Sequence, residues 1–450
     1  MSMRKLSFLA MMFMALSLPM TMVSCGDDDD PAGEQGGPGG EDGNKDDEGG
    51  NDEDDGGSGG LVQLDSIRQK MILEETANEL LSRVDAADFR VAAGLLEFVD
   101  QNSADGSDIS KWADAGLELC CANATDSLVE MVYSMSNFCG RFELRDGRWL
   151  LSPDQVGYLE FNFTDGEGEP CSLRLVCSGY NTLIHHASFD EYNAEATNAA
   201  GQSVRVSQRV ENSFVLPERI DVTLTKGGST VATAELASAV QLRGGDNEFD
   251  YKRDAVDLAL AVSVGEYRWA IDRIAFEAGS SASYIESLSK AGEQLIALRA
   301  EASGDITNDS DLKGDITVLE LSILDRVQVK GRINSVEQFV ANLENATYNE
   351  RNETLFRDYL DRANQLLEMG IYYYQEPQPA ASIKLYPFAA YDYGGERWYN
   401  QPVITFGDGT SYSTFESFFS QDAFQSVIQR FTDLAADFVG LVNPDANIAW

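Results

Sequence analysis

The chain has 450 residues, 43% of them hydrophobic, and a formal net charge of −42 from 33 basic and 75 acidic side chains. Length and apolar content are ample for a buried core. So negative a surface excludes nucleic acid and polybasic contact with anionic lipid, because both rest on clustered lysine and arginine facing phosphate.

Arg4 and Lys5 precede an apolar run from Leu6 to Met22, and small Ser24 precedes Cys25, which together read as an export signal over residues 1–24. The run is marginal in length for a membrane span, and no basic flank follows to stop transfer. At Met22-Val23-Ser24-Cys25 the sequence resembles the lipobox of bacterial lipoproteins, with Met22 and Val23 standing where Leu and Ala or Ser are usual. The run Gly26-Asp27-Asp28-Asp29-Asp30 resembles the surface-export signal of Gram-negative lipoproteins that serve outer-membrane nutrient uptake. This resemblance implies lipidation at Cys25, export directed by Asp27, Asp28, Asp29 and Asp30, and a lipid-anchored place on the outer membrane at the cell surface. It implies location and not activity, and its competitor is that the aspartates merely open a solvated linker. Two or three acyl chains, at about 0.8 kcal/mol per buried methylene, would hold such a protein in the membrane permanently.

Residues 25–60 are expected to be the lipidated cysteine and a disordered tether. After Cys25 they hold fourteen acidic side chains and Lys45 among glycines, with almost nothing apolar to bury. Its reach is on the order of 30–35 Å. The folded part is then 61–450, as one large domain or as two with a boundary in the polar, alanine-rich stretch 191–201.

Within it, Leu73, Ala77, Leu80, Leu81 and Val84 predict one amphipathic helix, and Phe89, Ala92, Leu95, Leu96 and Val99 a second, with Asp85 or Asp88 as cap. A loop near Asn102 to Ser110 leads to a β region. Phe142 and Leu144 run into Asp146-Gly147, a strong hairpin signal, and Leu159, Phe161 and Phe163 alternate before a turn at Asp165 to Gly168. The longest period-two pattern lies between Val204 and Ile333. Ile220, Val222 and Leu224 lead to the glycine pair of Lys226-Gly227-Gly228-Ser229; Val256, Leu258, Leu260, Val262 and Val264 follow, then Val327, Val329, Gly331 and Ile333. Beyond it come helical patterns at Val336 to Leu343 and at Leu355 to Leu367, the latter ending near Gly370. Strands follow at Ile383 to Phe388 and Val403 to Phe406. A last helix carries Phe415, Phe419, Val427, Phe431, Leu434 and Phe438, with Ser413 and Glu416 as a capping box. The fold class expected is α+β: an antiparallel β-meander sheet packed against N-terminal and C-terminal helices.

Chemistry-bearing groups are sparse. Five cysteines remain after Cys25; Cys171 and Cys177, six residues apart on one strand face, are about 20 Å apart at 3.3 Å per residue and cannot bridge. Buried small hydrophobes are the expectation over a disulfide framework, and no Cys-x-x-Cys spacing suggests zinc. His185 and His186, adjacent on a strand, point to opposite faces; either one, with Asp190 or Glu191, would make at most a weak metal site. No Gly-x-Ser-x-Gly, His-Glu-x-x-His or phosphate-cradling loop is present, so no catalytic residue is assigned.

Asp309, Asp311, Asp315 and Glu320 stand at EF-hand positions one, three, seven and twelve around Gly314, which makes Ca2+ the sole cofactor to weigh. Lys313 occupies position five, where an oxygen is required, and an ordinary acidic turn is the expectation. Tyr391, Tyr393, Trp398 and Tyr399, around Gly394-Gly395, are the candidate ligand-binding aromatics, as a stacking platform for a glycan or an anchor for a protein. Packing between sheet and helix is the competing expectation. Function then divides into a non-catalytic binding module in nutrient or glycan capture or adhesion, a glycoside hydrolase relying on a carboxylate pair hidden among the acids, and a carrier of an apolar ligand.

Overall fold

The computed structural model describes residues 64, 66–103, 107–125, 127–197, 200–201, 203–305, 313–392, 395–407, 411–412 and 422–442. Cys25, Asp27 to Asp30, Asp309, Asp311 and Tyr393 lie outside them. The fold is mostly β, a long mixed sheet with a few helices, and roughly α+β. No helix among the described residues is long and apolar enough to cross a membrane.

Three helices come first: α1 Ser66–Arg83, α2 Arg90–Ser103 and α3 Ser107–Glu118. The strands β1 Cys121–Ala124, β2 Leu128–Ser134, β3 Gly140–Arg145, β4 Arg148–Leu151 and β5 Leu159–Thr164 lead to two long ones, β6 Pro170–Thr197 and β7 Ser203–Lys226. Then follow β8 Ser229–Gln241, β9 Ala255–Val264, β10 Tyr267–Glu277, β11 Ser281–Lys290, β12 Glu293–Asp305, β13 Lys313–Ile323 and β14 Val327–Ile333. Helices α4 Val336–Tyr348 and α5 Glu353–Leu366 interrupt, and β15 Leu367–Tyr373, β16 Ala381–Asp392, β17 Gly395–Phe406, β18 Ser411–Tyr412 and α6 Asp422–Val442 close the chain.

From β6 to β18 each strand pairs antiparallel with the next, as the period-two pattern requires. The sheet is nevertheless mixed rather than wholly antiparallel. β2 pairs parallel with β7, and β3 parallel with β5. β7 is long enough for two partners in succession on one edge, β2 over Arg209 to Val215 and β8 over Arg219 to Lys226, while β6 holds the other edge. Of the polar stretch 191–201, residues up to Thr197 belong to β6, which pairs with β7 as far as Thr197↔Ser203.

The glycine signals correspond to tight returns. Gly227 (φ 58°) and Gly228 (φ 80°) turn β7 into β8, and Asp146 (φ 52°) with Gly147 (φ 74°) turns β3 into β4, the left-handed pairs that suit a two-residue hairpin.

Register gives the sheet two unlike faces. The apolar face carries Leu258, Leu260 and Val262 of β9 beside Trp269 and Ile271 of β10. The other carries cross-strand ion pairs such as Lys330–Glu320 at 3.4 Å and Arg332–Glu368 at 2.6 Å. On the apolar side, Ile72 of α1 packs with Val327, Ile371, Ile383, Ile404 and Phe406. Phe89 contacts both Tyr267 (4.8 Å between ring centroids) and Phe438 of α6 (5.2 Å). Ala346, Phe356 and Leu360 of α4 and α5 meet Leu385 and Trp398.

Several local expectations change. In α1 the buried residues are Gln69, Ile72 and Thr76; of the expected stripe, Leu73 packs partly buried against the core, and Val84, one residue past the helix, is buried. Gln69 is buried because its amide is satisfied: Nε2 donates to the carbonyls of Leu64 and Ala380, and Oε1 accepts from Tyr373 Oη. The stretch expected as loop up to Ser110 already contains the start of α3. That helix is tied down by Trp112, whose Nε1 donates to the Cys139 carbonyl (2.7 Å) and whose ring meets Phe138 and Phe142 edge-on. The helix expected to end near Gly370 stops at Leu366, and Leu367 to Tyr373 pair with β14 over their whole length.

Candidate functional site

A groove of about 530 Å³ opens on the polar face across β8 to β13. Its lining includes Asp257, Arg273, Glu277, Ser283, Glu301 and Thr317, with small alanines between them. Two register shifts explain why so many polar groups converge. On β10 the pairing with β9 steps from Ile271↔Leu260 to Ile274↔Leu258, so Asp272 and Arg273 both project to the polar side. On β13 the pairing with β14 steps from Ile316↔Ile333 to Leu319↔Gly331, which puts Thr317 and Val318 on that side together. A bulge breaks strict alternation and bends its strand, and here it adds side chains to the groove.

Each groove carboxylate is held by an arginine at one oxygen. Arg273 donates through Nε and Nη2 to Asp257 Oδ2 at 3.1 and 3.0 Å. Arg299 does the same to Glu301 Oε1 at 3.0 and 2.8 Å, and Arg243 Nη2 holds Glu277 Oε1. The second oxygen of each takes no protein donor among the described residues. Asp257 lies diagonal to Glu277, because its direct partner is Ala275; that geometry separates the two backbones by about 7–8 Å.

One end of the groove is framed by the 242–254 loop, built on buried Asp254. Its carboxylate accepts from the amides of Arg243 (2.7 Å) and Asp250 (2.8 Å) and from Arg253 Nε (3.1 Å). Burial pushes this carboxyl up, but Arg253 and the two amides outweigh it and hold it at about 2.

The aromatic candidates separate. Trp398 and Tyr399 are neighbours on β17 and so face opposite ways. Trp398 packs on the α4–α5 cluster with the Arg357 guanidinium 4.7 Å above its ring, and its amide donates to the Glu350 carbonyl. Tyr399 joins Tyr386 and Phe388 in an open row on the other face, with Phe388 and Tyr399 stacked at 5.9 Å. Tyr391 is 79% exposed and donates to Glu396 Oε1. The expected four-residue platform is therefore not one surface.

The calcium candidates also separate. Asp315 and Glu320 lie on strand β13, not in a closing loop, about 16 Å apart at 3.3 Å per residue. Asp315 accepts from the Ser335 amide and Glu320 pairs with Lys330. No group of three metal-ligating side chains is found among the described residues. His185 bonds Ser188 Oγ at 3.1 Å, while exposed His186 lies edge-on to Phe214. The side chains of Asp190 and Glu191 lie outside those described.

All five described cysteines are free, with Cys120 and Cys171 buried but Cys121 exposed, contrary to the expectation of burial. Burial pushes the Cys139, Cys171 and Cys177 thiols up, which keeps them protonated and unreactive.

Comparison with known proteins adds no identity. No protein-family model, no curated protein and no solved structure matches this chain. Function therefore rests on the residues themselves. The groove escaped sequence reading because its members come from six strands and two bulges; the available signal was the recurrence of Arg beside Asp or Glu at alternate strand positions.

Proposed function

We propose that this chain is a lipid-anchored, surface-displayed binding module that captures a small polyhydroxylated ligand, a glycan fragment, in the polar-face groove. The observation that carries the reading is the state of the carboxylates: each has one oxygen fixed by an arginine and one without a protein donor. A carboxylate oriented in advance is a planar acceptor for a sugar hydroxyl, and little ordering cost remains on binding. Thr317 adds a hydroxyl, and the volume falls in the range of small-ligand sites. Each of the three acids is paired with an arginine, so the groove is charge-balanced and suits a neutral ligand. In this reading the antiparallel meander, with helices from both ends of the chain on its apolar face, leaves the polar face as the display surface. The tether at 25–60 and the lipid at Cys25 supply the reach and the anchor that the lipoprotein resemblance implies.

The alternative is a glycoside hydrolase, and the diagonal placement of Asp257 and Glu277 favours it. Both carboxylates are already ion-paired, however, leaving no bare carboxyl to pass a proton to a leaving group. A glycan array probed with the whole chain carrying Cys25→Ala tests both. Retention of an intact oligosaccharide supports the module, release of new reducing ends supports the hydrolase, and no retention of any glycan overturns both.

A further inference from the structure

The apolar face of the same strands holds a second constellation. Across β9 to β14 one rung of directly paired residues reads Leu260, Ile271, Glu286, Leu298, Leu321 and Val329. Every position is aliphatic except Glu286, which is 5% exposed. Its oxygens accept one hydrogen bond each, Oε1 from Trp269 Nε1 (2.7 Å) and Oε2 from Tyr284 Oη (2.8 Å). Burial, and then the hydrogen bond to Glu286, push the Tyr284 phenol well up, so it stays the donor. Among the described residues no lysine, arginine or histidine forms an ion pair with Glu286. Buried charges are ordinarily paired, and a sequence that breaks its own binary pattern in mid-sheet does so most often for function. The aliphatic neighbours in the rung are only half-buried, and Ile274 beside Tyr284 is 37% exposed, so solvent reaches this face.

We infer that the Trp269–Glu286–Tyr284 constellation is a second binding site, on the apolar face, for a ligand with an aliphatic body and a protonated amine head. The half-buried rung takes the aliphatic chain, and Glu286, oriented by its two neutral donors, takes the ammonium. This goes beyond the groove and gives the apolar-carrier function a ligand class. It rests on residues the groove does not use, so either site can fail without the other.

The test is calorimetric titration of the whole chain carrying Cys25→Ala with dodecylamine, dodecanol and dodecanoate, each below its aggregation threshold. The expected result is amine binding at least tenfold tighter than alcohol or carboxylate, with the preference abolished by Glu286→Gln and kept by Leu260→Ala, which shortens the aliphatic rung but leaves the charge. Equal affinity for the three probes, no binding of the amine, or an amine preference that survives Glu286→Gln would overturn the site and leave Glu286 a structural carboxylate pinning Trp269 and Tyr284. Should Glu286→Gln fail to fold, Glu286→Asp withdraws the charge by one methylene. Amine affinity must then fall at least fivefold with the preference kept, and unchanged affinity overturns the proposal.

Discussion

Asp254 has no exposed surface, and its acid-base behaviour ties the loop at the groove's edge to pH. Its folded-state value of about 2 lies below the ordinary aspartate value of about 3.9 in an unfolded chain. The stabilisation is complete above the unfolded value and is lost as pH falls from about 4 through about 2. Asp254→Asn should cost roughly 2 kcal/mol at neutral pH, since at least one buried amide loses its acceptor. Acid titration of stability checks this: the gap between parent and variant should close across that window. The neighbours Trp398 and Tyr399 give a second contrast. Trp398→Ala should cost roughly 3 kcal/mol by opening a cavity against α4 and α5, while Tyr399→Ala should stay within about 0.5 kcal/mol. Thermal melts of the two single variants decide it. Sequence spacing alone treated these residues as one group, because alternation on a strand is visible only once the strand is known.

At the scale of elements, what was legible is what is locally encoded. The returns at Gly227-Gly228 and Asp146-Gly147 were readable because positive φ is a demand on the residue itself. The face of α1 was readable only in part, because Gln69 and Thr76 are buried through hydrogen bonds to distant or backbone partners, and a count of apolar residues passes over them. The bulges at Asp272-Arg273 and Thr317-Val318 depend on the register of the partner strand, and nothing local announces them. Helix α5 offers a clean test of local encoding. The Asn352 side chain accepts from the Leu355 amide at 3.2 Å, so Asn352→Ala should cost about 1 kcal/mol. A denaturant melt should show that loss with an unchanged slope, since the surface exposed on unfolding stays the same.

At the scale of the whole molecule, the long meander could be read from periodicity, whereas the share of sheet was understated and the parallel pairs β2–β7 and β3–β5 were not visible, because local alternation does not say which strand lies beside which. Location remains a separate proposition resting on Cys25 and the aspartates after it. Cys25→Ala should release the protein from the membrane, and replacing Asp27 to Asp30 by alanine should leave it anchored but facing the periplasm. Protease added to intact cells should then digest the parent and spare the alanine form; equal digestion would contradict surface export. The central claim is that the polar-face groove, and not the aromatic row, is where a glycan binds. Titration of an oligosaccharide retained on the array against Arg273→Ala and Tyr386→Ala tests it most directly. Loss of at least tenfold in affinity for Arg273→Ala, with Tyr386→Ala near parent, is the predicted result; full affinity in Arg273→Ala, or loss confined to Tyr386→Ala, would contradict it.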